Sequence, residues 1–448
     1  MRSRGFLGVR SLFHLLATTA CLLWLDIESV EGTPSSRHTS ADTCAPNTSS
    51  LNSRAATLTV RGYDRRIQAG IDLIYSLRFE EADLYFDAVV DAEPDNPLGY
   101  FFRAMTSWWR VLVDLEDRRH DELFYRQLQT CIDVCDRRLK ETPDDFDAIL
   151  FKGGSIGFRG RLRGDRGQFL KAARDGLRSM PLVERSRKLE PTNKDILFGQ
   201  GLYDYFAVIM PERHPIIRPI MWFLRDGDKE RGLKELEEVA YSGLYARVEA
   251  KYFLSQIYHL FEGDPARALR YQEELRQQYP DNAVFHRNTA RTLVALSRWP
   301  QALQLYREYL HLSEQGRAGY HVRGCMESLF YIGKRAFKLR RSQDAIRAFA
   351  AIDSLSYTLG EEVEVQAMRG YTALANLYLG MAYDETGRRE LALASYQRVR
   401  QLPRQRRSRE LAKRYLQRAY TRDPNDAVAG PTIADPSHLP APTSKDLE

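Results

Sequence analysis

Cysteine is scarce, five in 448 residues, too few to staple a small scaffold. Cys131 and Cys135 stand four apart in a helical stretch. Their Cα atoms would lie about 6 Å apart with poor directions for a bridge, so core packing is the expectation. The nine histidines are scattered without an H-E-x-x-H, and there is no C-x-x-C, so no metal or cofactor is expected. Neither sign of charge dominates: Lys+Arg number 66 against Asp+Glu 60, a net +6. Such a mild excess excludes the basic stripe of a specific nucleic-acid binder. Also missing is any period-two run of β-branched residues, and with it the strand that must precede a dinucleotide fingerprint.

No apolar run reaches membrane-spanning length. The longest extends from Leu12 to Leu25 after Arg2, Arg4 and Arg10, and small residues follow at Val30-Glu31-Gly32. Charge, short apolar stretch and cleavage site, in that order, describe a secretory signal. Lipidation at Cys21 and an uncleaved anchor stay open beside it. Export to the bacterial periplasm or cell envelope is the expectation, with membrane association through the N-terminus as the variant. Residues 33–57 are polar and read as a flexible lead-in, and 421–448, rich in proline, as a disordered tail. Asn47-Thr48-Ser49 fits a glycosylation acceptor in a cell with the machinery.

What is abundant is helical periodicity. From Tyr63 to Tyr420 apolar residues recur at three- and four-residue steps, broken by short turns such as Glu262-Gly263-Asp264-Pro265. A second pattern lies over the first: a small residue, another about a dozen positions on, an aromatic, then proline. Gly70, Ala82, Phe86 and Pro94 show it, and Gly380, Ala392, Tyr396 and Pro403 repeat it. A period of about 34 residues marks stacked helical hairpins.

These residues resemble the tetratricopeptide repeat family. Its motif sets a small residue mid-way along helix A, a small and then a bulky residue in helix B, and proline at the exit. The segments Tyr63–Asn96, Glu249–Asn282, Ala283–Gly316, Met326–Leu359 and Ala373–Arg406 match. Three middle units depart from it, with insertions at 116–121 and 209–225. The expected fold is all-α, a superhelical solenoid of about eight such hairpins with a C-terminal capping helix at 405–420. The expected division is 1–32 signal, 33–57 lead-in, 58–248 N-terminal repeats, 249–420 C-terminal repeats and cap, and 421–448 tail. Ala172–Leu177, Gly201–Tyr205 and Gly227-Asp228 also resemble a set of exported bacterial repeat proteins, which adds location and no chemistry.

Candidate chemistry is thin. Gly153-Gly154-Ser155-Ile156-Gly157 fits the G-x-S-x-G elbow of a serine hydrolase, but an elbow needs a strand-to-helix turn. Gly153 already fills the small-residue slot of a helix A. The Gly/Arg stretch Lys152–Arg178 lacks the G-K-[ST] ending of a phosphate loop; it reads as a solvated connection, with an anion-gripping loop as the alternative. The basic run from Arg398 to Arg418 reads as the exposed face of a cap, with lipid headgroups or nucleic acid as rivals.

The resemblance implies that helices A line a concave groove where partners lie. Helical spacing places Phe253, Ile257, Leu260 and Phe261 inward in one unit, then Arg287, Arg291 and Val294, then Phe330, Lys334, Phe337 and Lys338. Leu377, Met381, Asp384 and Glu385 follow in the last. The candidate site is Phe253, Ile257, Arg287, Arg291, Phe330, Lys334, Lys338 and Met381. An apolar floor beside four cations suits a protein or peptide segment with apolar anchors and acidic groups. Each charged contact would contribute about 1.5–3 kcal/mol. The expected function is a non-enzymatic interaction scaffold. The alternatives are a membrane-anchored structural component and a hydrolase using Ser155.

Overall fold

The computed structural model describes residues 60–422 apart from 116, 214–225, 359–365, 403, 404 and 406. The expected signal, lead-in, Cys21, Asn47, most of the 209–225 insertion and the tail after 422 lie outside the described residues.

Among the described residues the chain is helical, in antiparallel hairpins that follow one another in sequence order. It divides into two compact units between Asn282 and Ala283. Unit 1 holds five hairpins: α1 (Val60–Tyr75) with α2 (Phe79–Ala92), α3 (Pro97–Val113) with α4 (Asp121–Glu141), α5 (Phe146–Asp165) with α6 (Phe169–Leu189), α7 (Ile196–Arg213) with α8 (Lys229–Ser242), and α9 (Arg247–Gln256) with α10 (Pro265–Gln278). A π-helical turn, Ile257–Phe261, extends α9. Unit 2 holds three: α11 (Ala283–Ala295) with α12 (Trp299–Glu314), α13 (Val322–Lys338) with α14 (Ser342–Thr358), and α15 (Gln366–Glu385) with α16 (Arg389–Gln401). The helix α17 (Ser408–Gln417) closes the series.

The small-then-aromatic pattern has a steric cause. A Cβ on Gly70 would stand 2.5 Å from the Phe86 ring, and one on Gly333 2.7 Å from the Phe349 ring, so only glycine lets helices A and B approach this closely. A left-handed turn also recurs inside several of the hairpins. Leu77, Ser297 and Arg340 take φ of 58°, 58° and 60°, and Gly263 and Gly387 serve the equivalent turns with φ of 64° and 73°. Helix starts are fixed by side chains: Asp145, Asp228 and Asp264 accept from the N–H groups of Ala148, Arg231 and Arg267. Cys131 and Cys135 are buried free thiols, and Cys131 directs its Sγ at the Pro97 carbonyl 3.6 Å away.

The Gly/Arg stretch is not a solvated connection. Lys152 to Asp165 belongs to α5, and 169–178 to α6, with only a short turn between. Its arginines point at aspartates. Arg159 and Arg163 both reach Asp175, Arg161 reaches Asp165 at 3.0 Å, and Arg166 reaches Asp121 at 2.6 Å. Asp175 is fully buried. Without its two guanidinium partners it would be an uncompensated interior charge, so these pairs tie α5 to α6. Composition alone suggested a loop; Asp165 lies four positions from Arg161, and Asp175 and Asp121 lie 12 to 45 positions from the arginines they hold.

Candidate functional site

The inward faces of helices A are where the sequence placed the site, and the two units treat them differently. In unit 1 these faces pack on one another. Trp109 on α3 donates its indole N–H to Glu249 on α9 at 2.7 Å, and the Tyr75 hydroxyl donates to the same carboxylate oxygen at 3.4 Å. Tyr75 meets the Trp109 ring edge-on at 5.0 Å. Tyr279 donates to Asp72 at 2.7 Å, and the Asn282 amide donates to the Tyr75 carbonyl at 2.8 Å. The first hairpin is thereby tied to the fifth. Glu249 is buried, its Oε2 has no hydrogen-bond partner, and its pKa is pushed up to about 7. Burial is the main cause; the Trp109 and Tyr75 hydrogen bonds and the Arg161 charge pull the other way.

Phe253 and Ile257 take part in this interior. Phe253 packs edge-on against Phe198 at 5.6 Å with the Arg161 guanidinium over its ring at 5.2 Å. Ile257 belongs to a core cluster with Tyr205, Leu236 and Ala268. Both are almost without exposure, so neither is an open floor for a partner. The spacing did not reveal that these residues are covered by the unit's own helices.

In unit 2, α11 is buried on nearly every face. Arg291 makes a two-pronged contact with Glu327 of α13, Nε to Oε1 at 2.5 Å and Nη2 to Oε2 at 2.6 Å. Arg287 brings its Nε to 3.8 Å from the same carboxylate. Arg287 is 3% exposed and Glu327 not at all. Both arginines, expected as groove cations, are therefore interior charges braced by a glutamate one helix A further on. Phe330 lies among Tyr331, Phe349, Tyr371 and Tyr378, and Met381 is fully buried; these two are core as well. Of the eight candidates, Lys334 is half-buried, its ammonium 5.9 Å from the centre of the Tyr331 ring, and Lys338 is exposed.

Beyond Lys338 the inner face changes sign. Asp384, nearly buried, accepts from Arg389 through both oxygens at 2.9 Å, from the Tyr396 hydroxyl at 2.9 Å and from the Tyr420 N–H at 2.7 Å. The hydrogen bond to this carboxylate and burial drive the Tyr396 hydroxyl pKa far up, burial first. Thr421 and Arg422, counted with the tail from sequence, are described here and Arg422 is packed: it pairs with Glu385 at 2.6 Å. The basic run is partly spent locally, Arg398 pairing with Asp353 at 3.7 Å and Arg409 donating to the Leu402 carbonyl at 3.0 Å.

Ser155 is buried in the middle of α5, and its Oγ has no hydrogen-bond partner. It lies within a helix and not on a strand-to-helix elbow, and among the described residues neither a histidine nor a carboxylate hydrogen-bonds its Oγ. Among the described residues no group of acidic, histidine and cysteine side chains is placed to hold a metal ion. Nor is any helix among them long and apolar enough to cross a membrane.

No family model matches the sequence, and no curated protein matches it. Solved structures do. The human IFIT1 dimer with PPP-AAAA is similar over 73% of this chain and 69% of that one, at 13% identity and a TM-score of 0.37. The yeast Tom70 is similar over 77% of this chain and 86% of that one, at 9% identity and a TM-score of 0.34. The TPR domain of P58(IPK) is similar over 80% and 99%, at 15% identity and a TM-score of 0.22. Among the described residues, helical hairpins in series with glycine against aromatic inside them, closed by a terminal helix, make a tetratricopeptide-like fold.

Proposed function

We propose that this chain is a non-enzymatic helical-repeat scaffold that holds another protein by a peptide or helical segment at the inner face of its unit 2 repeats. The observation that carries the reading is the division of charge along α13. Glu327 keeps Arg291 and Arg287 in the interior, while Lys334 and Lys338, a turn apart, continue the same face outward. Two ammonium groups on a rigid helix suit an acidic segment, since a preorganised face loses little entropy when a partner docks. Phe330 and Met381 shape this face from beneath. They hold α13 and α15 in place and do not touch the partner. Buried Ser155, with neither acid nor histidine beside it, offers the hydrolase alternative no geometry.

Reversing all four candidate cations would bury three carboxylates together at Glu327 and unfold unit 2, so the test changes only Lys334 and Lys338. Tagged full-length protein and its Lys334→Glu/Lys338→Glu variant are used to capture partners from bacterial envelope extracts, with helical circular dichroism as the folding control. Loss of one captured protein by the folded variant is the expected result; equal capture by both overturns the reading. The envelope location belongs to the same proposal and rests on the N-terminal apolar run. An anchored chain would need detergent for release, and a cleaved one would not.

A further inference from the structure

The geometry points to a second recognition site, formed by the ends of α13 and α15, that takes an aromatic-x-arginine segment and is filled here by the chain's own Tyr420–Arg422. The segment follows α17 and is not helical. Its hold on unit 2 is concentrated in one side chain. The Arg422 guanidinium lies over the Phe337 ring at 4.5 Å, pairs through Nε with Glu385 Oε1 at 2.6 Å, and donates from Nη2 to the Phe337 carbonyl at 2.9 Å. An aromatic face, a carboxylate and a carbonyl together meet the three needs of a guanidinium: a π surface, a counter-charge and a planar acceptor. Tyr420 adds the second element. Its ring lies 6.1 Å from that of Phe337 and 5.3 Å from that of Tyr415, and its N–H donates to Asp384 at 2.7 Å.

The box does not need this particular arginine to be assembled. Asp384 already has Arg389 and the Tyr396 hydroxyl. Ser342 fixes Glu385 by donating to Oε2 at 3.1 Å. The Phe337 carbonyl accepts the Arg340 N–H at 3.0 Å, which sets its direction in the last turn of α13. Removing Arg422 therefore leaves a carboxylate, an oriented carbonyl and an aromatic face ready for another guanidinium. The preferred partner at this end of unit 2 is cationic, the opposite of what Lys334 and Lys338 suit. The inference does not depend on those lysines, so its failure and that of the scaffold reading are separable.

The test uses a fluorescent synthetic peptide spanning Leu416–Arg422 and the full-length chain, read by anisotropy. In the parent the tethered segment competes at an effective concentration in the millimolar range, so micromolar peptide binds weakly. Arg422→Ala is expected to bind it at least tenfold more tightly, and adding Glu385→Gln to that variant returns binding to the parent level. A peptide with alanine in place of its last arginine binds none of the three chains. Should Arg422→Ala lose helical circular dichroism, Arg422→Lys supplies the comparison, because it keeps the stem and the charge but loses the planar fork. No gain in affinity in a folded Arg422 variant, or equal binding of the alanine peptide, overturns the inference and leaves Tyr420–Arg422 as a structural cap.

Discussion

Units 1 and 2 are built from the same hairpin but cover their inward faces by different means. Unit 1 closes on itself. Tyr279 reaches Asp72 and Asn282 reaches the Tyr75 carbonyl, each across 207 positions, and the enclosed space is filled with Trp109, Tyr252 and Phe253 around one acid, Glu249. Unit 2 braces successive helices A by an ion pair, Arg291 to Glu327, 36 positions apart. A solenoid in which each repeat meets only its neighbours is the ordinary case, and unit 1 departs from it. An inward face is thus not by itself an open groove. In unit 1 the chain's own aromatics use it up, and in unit 2 what stays accessible is at the edge, where Lys334, Lys338 and the Arg422 box lie.

The largest expected effect separates the units directly. Glu327→Ala leaves two guanidinium groups in the interior with their shared carboxylate gone, a loss of about 3–5 kcal/mol when a buried pair is broken from one side. Hydrogen exchange should show α11 and α13 opening early while α1, α3 and α9 keep their protection. Adding Arg291→Met should recover part of the loss. Uniform loss of protection in both units would mean that they do not unfold separately.

The second effect belongs to unit 1 and is read by pH. An unfolded glutamate titrates near 4.5, and Glu249 in the folded chain is pushed up to about 7. A raised folded value means that the contribution to stability is complete below 4.5 and is lost as pH rises through 7. The groups facing it are the Tyr75 hydroxyl, the Trp109 indole and the Arg161 guanidinium. Glu249→Gln keeps an acceptor for Trp109 and removes the titration. Its unfolding free energy from urea melts should be close to the parent's at pH 5 and exceed it at pH 8 by an amount on the order of 1–3 kcal/mol. A constant difference at both pH values would assign the effect to packing.

The hairpins were legible from sequence because their cause is local. Gly70 and Phe86 lie on the two helices of one hairpin, and the clash that forbids a side chain at Gly70 is the same clash that spaces the motif. Helical spacing picked out Arg287, Arg291, Phe330 and Met381, which are buried. It missed Glu327, although that residue lies three positions before Phe330 on the same face, and so took a braced interior pair for groove cations. Closure of unit 1 was not legible, because nothing within one repeat announces that Glu249 will meet Tyr75. The Gly/Arg stretch misled for a related reason: glycine and arginine suggest a loop, and composition does not show that its arginines pair with Asp121, Asp165 and Asp175.

The smallest effect tests one turn in both settings. Leu77 in unit 1 and Arg340 in unit 2 hold the same left-handed conformation, with φ of 58° and 60°, which costs a non-glycine residue roughly 1–2 kcal/mol. Glycine relieves that strain but costs about 0.5–1 kcal/mol more in chain entropy. At Arg340, whose side chain is exposed, the balance favours glycine, and Arg340→Gly should gain about 0.5 kcal/mol. At Leu77, which is 2% exposed, the same change also gives up the burial of a leucine, worth about 1.5–3 kcal/mol. Leu77→Gly should therefore destabilise unit 1 by about 2 kcal/mol. Opposite signs in urea melts would show that the turn is one backbone device carrying a packing role in unit 1 and none in unit 2. A loss at both would mean that the Arg340 stem contributes contacts of its own to the end of α13, beside the box that holds Arg422.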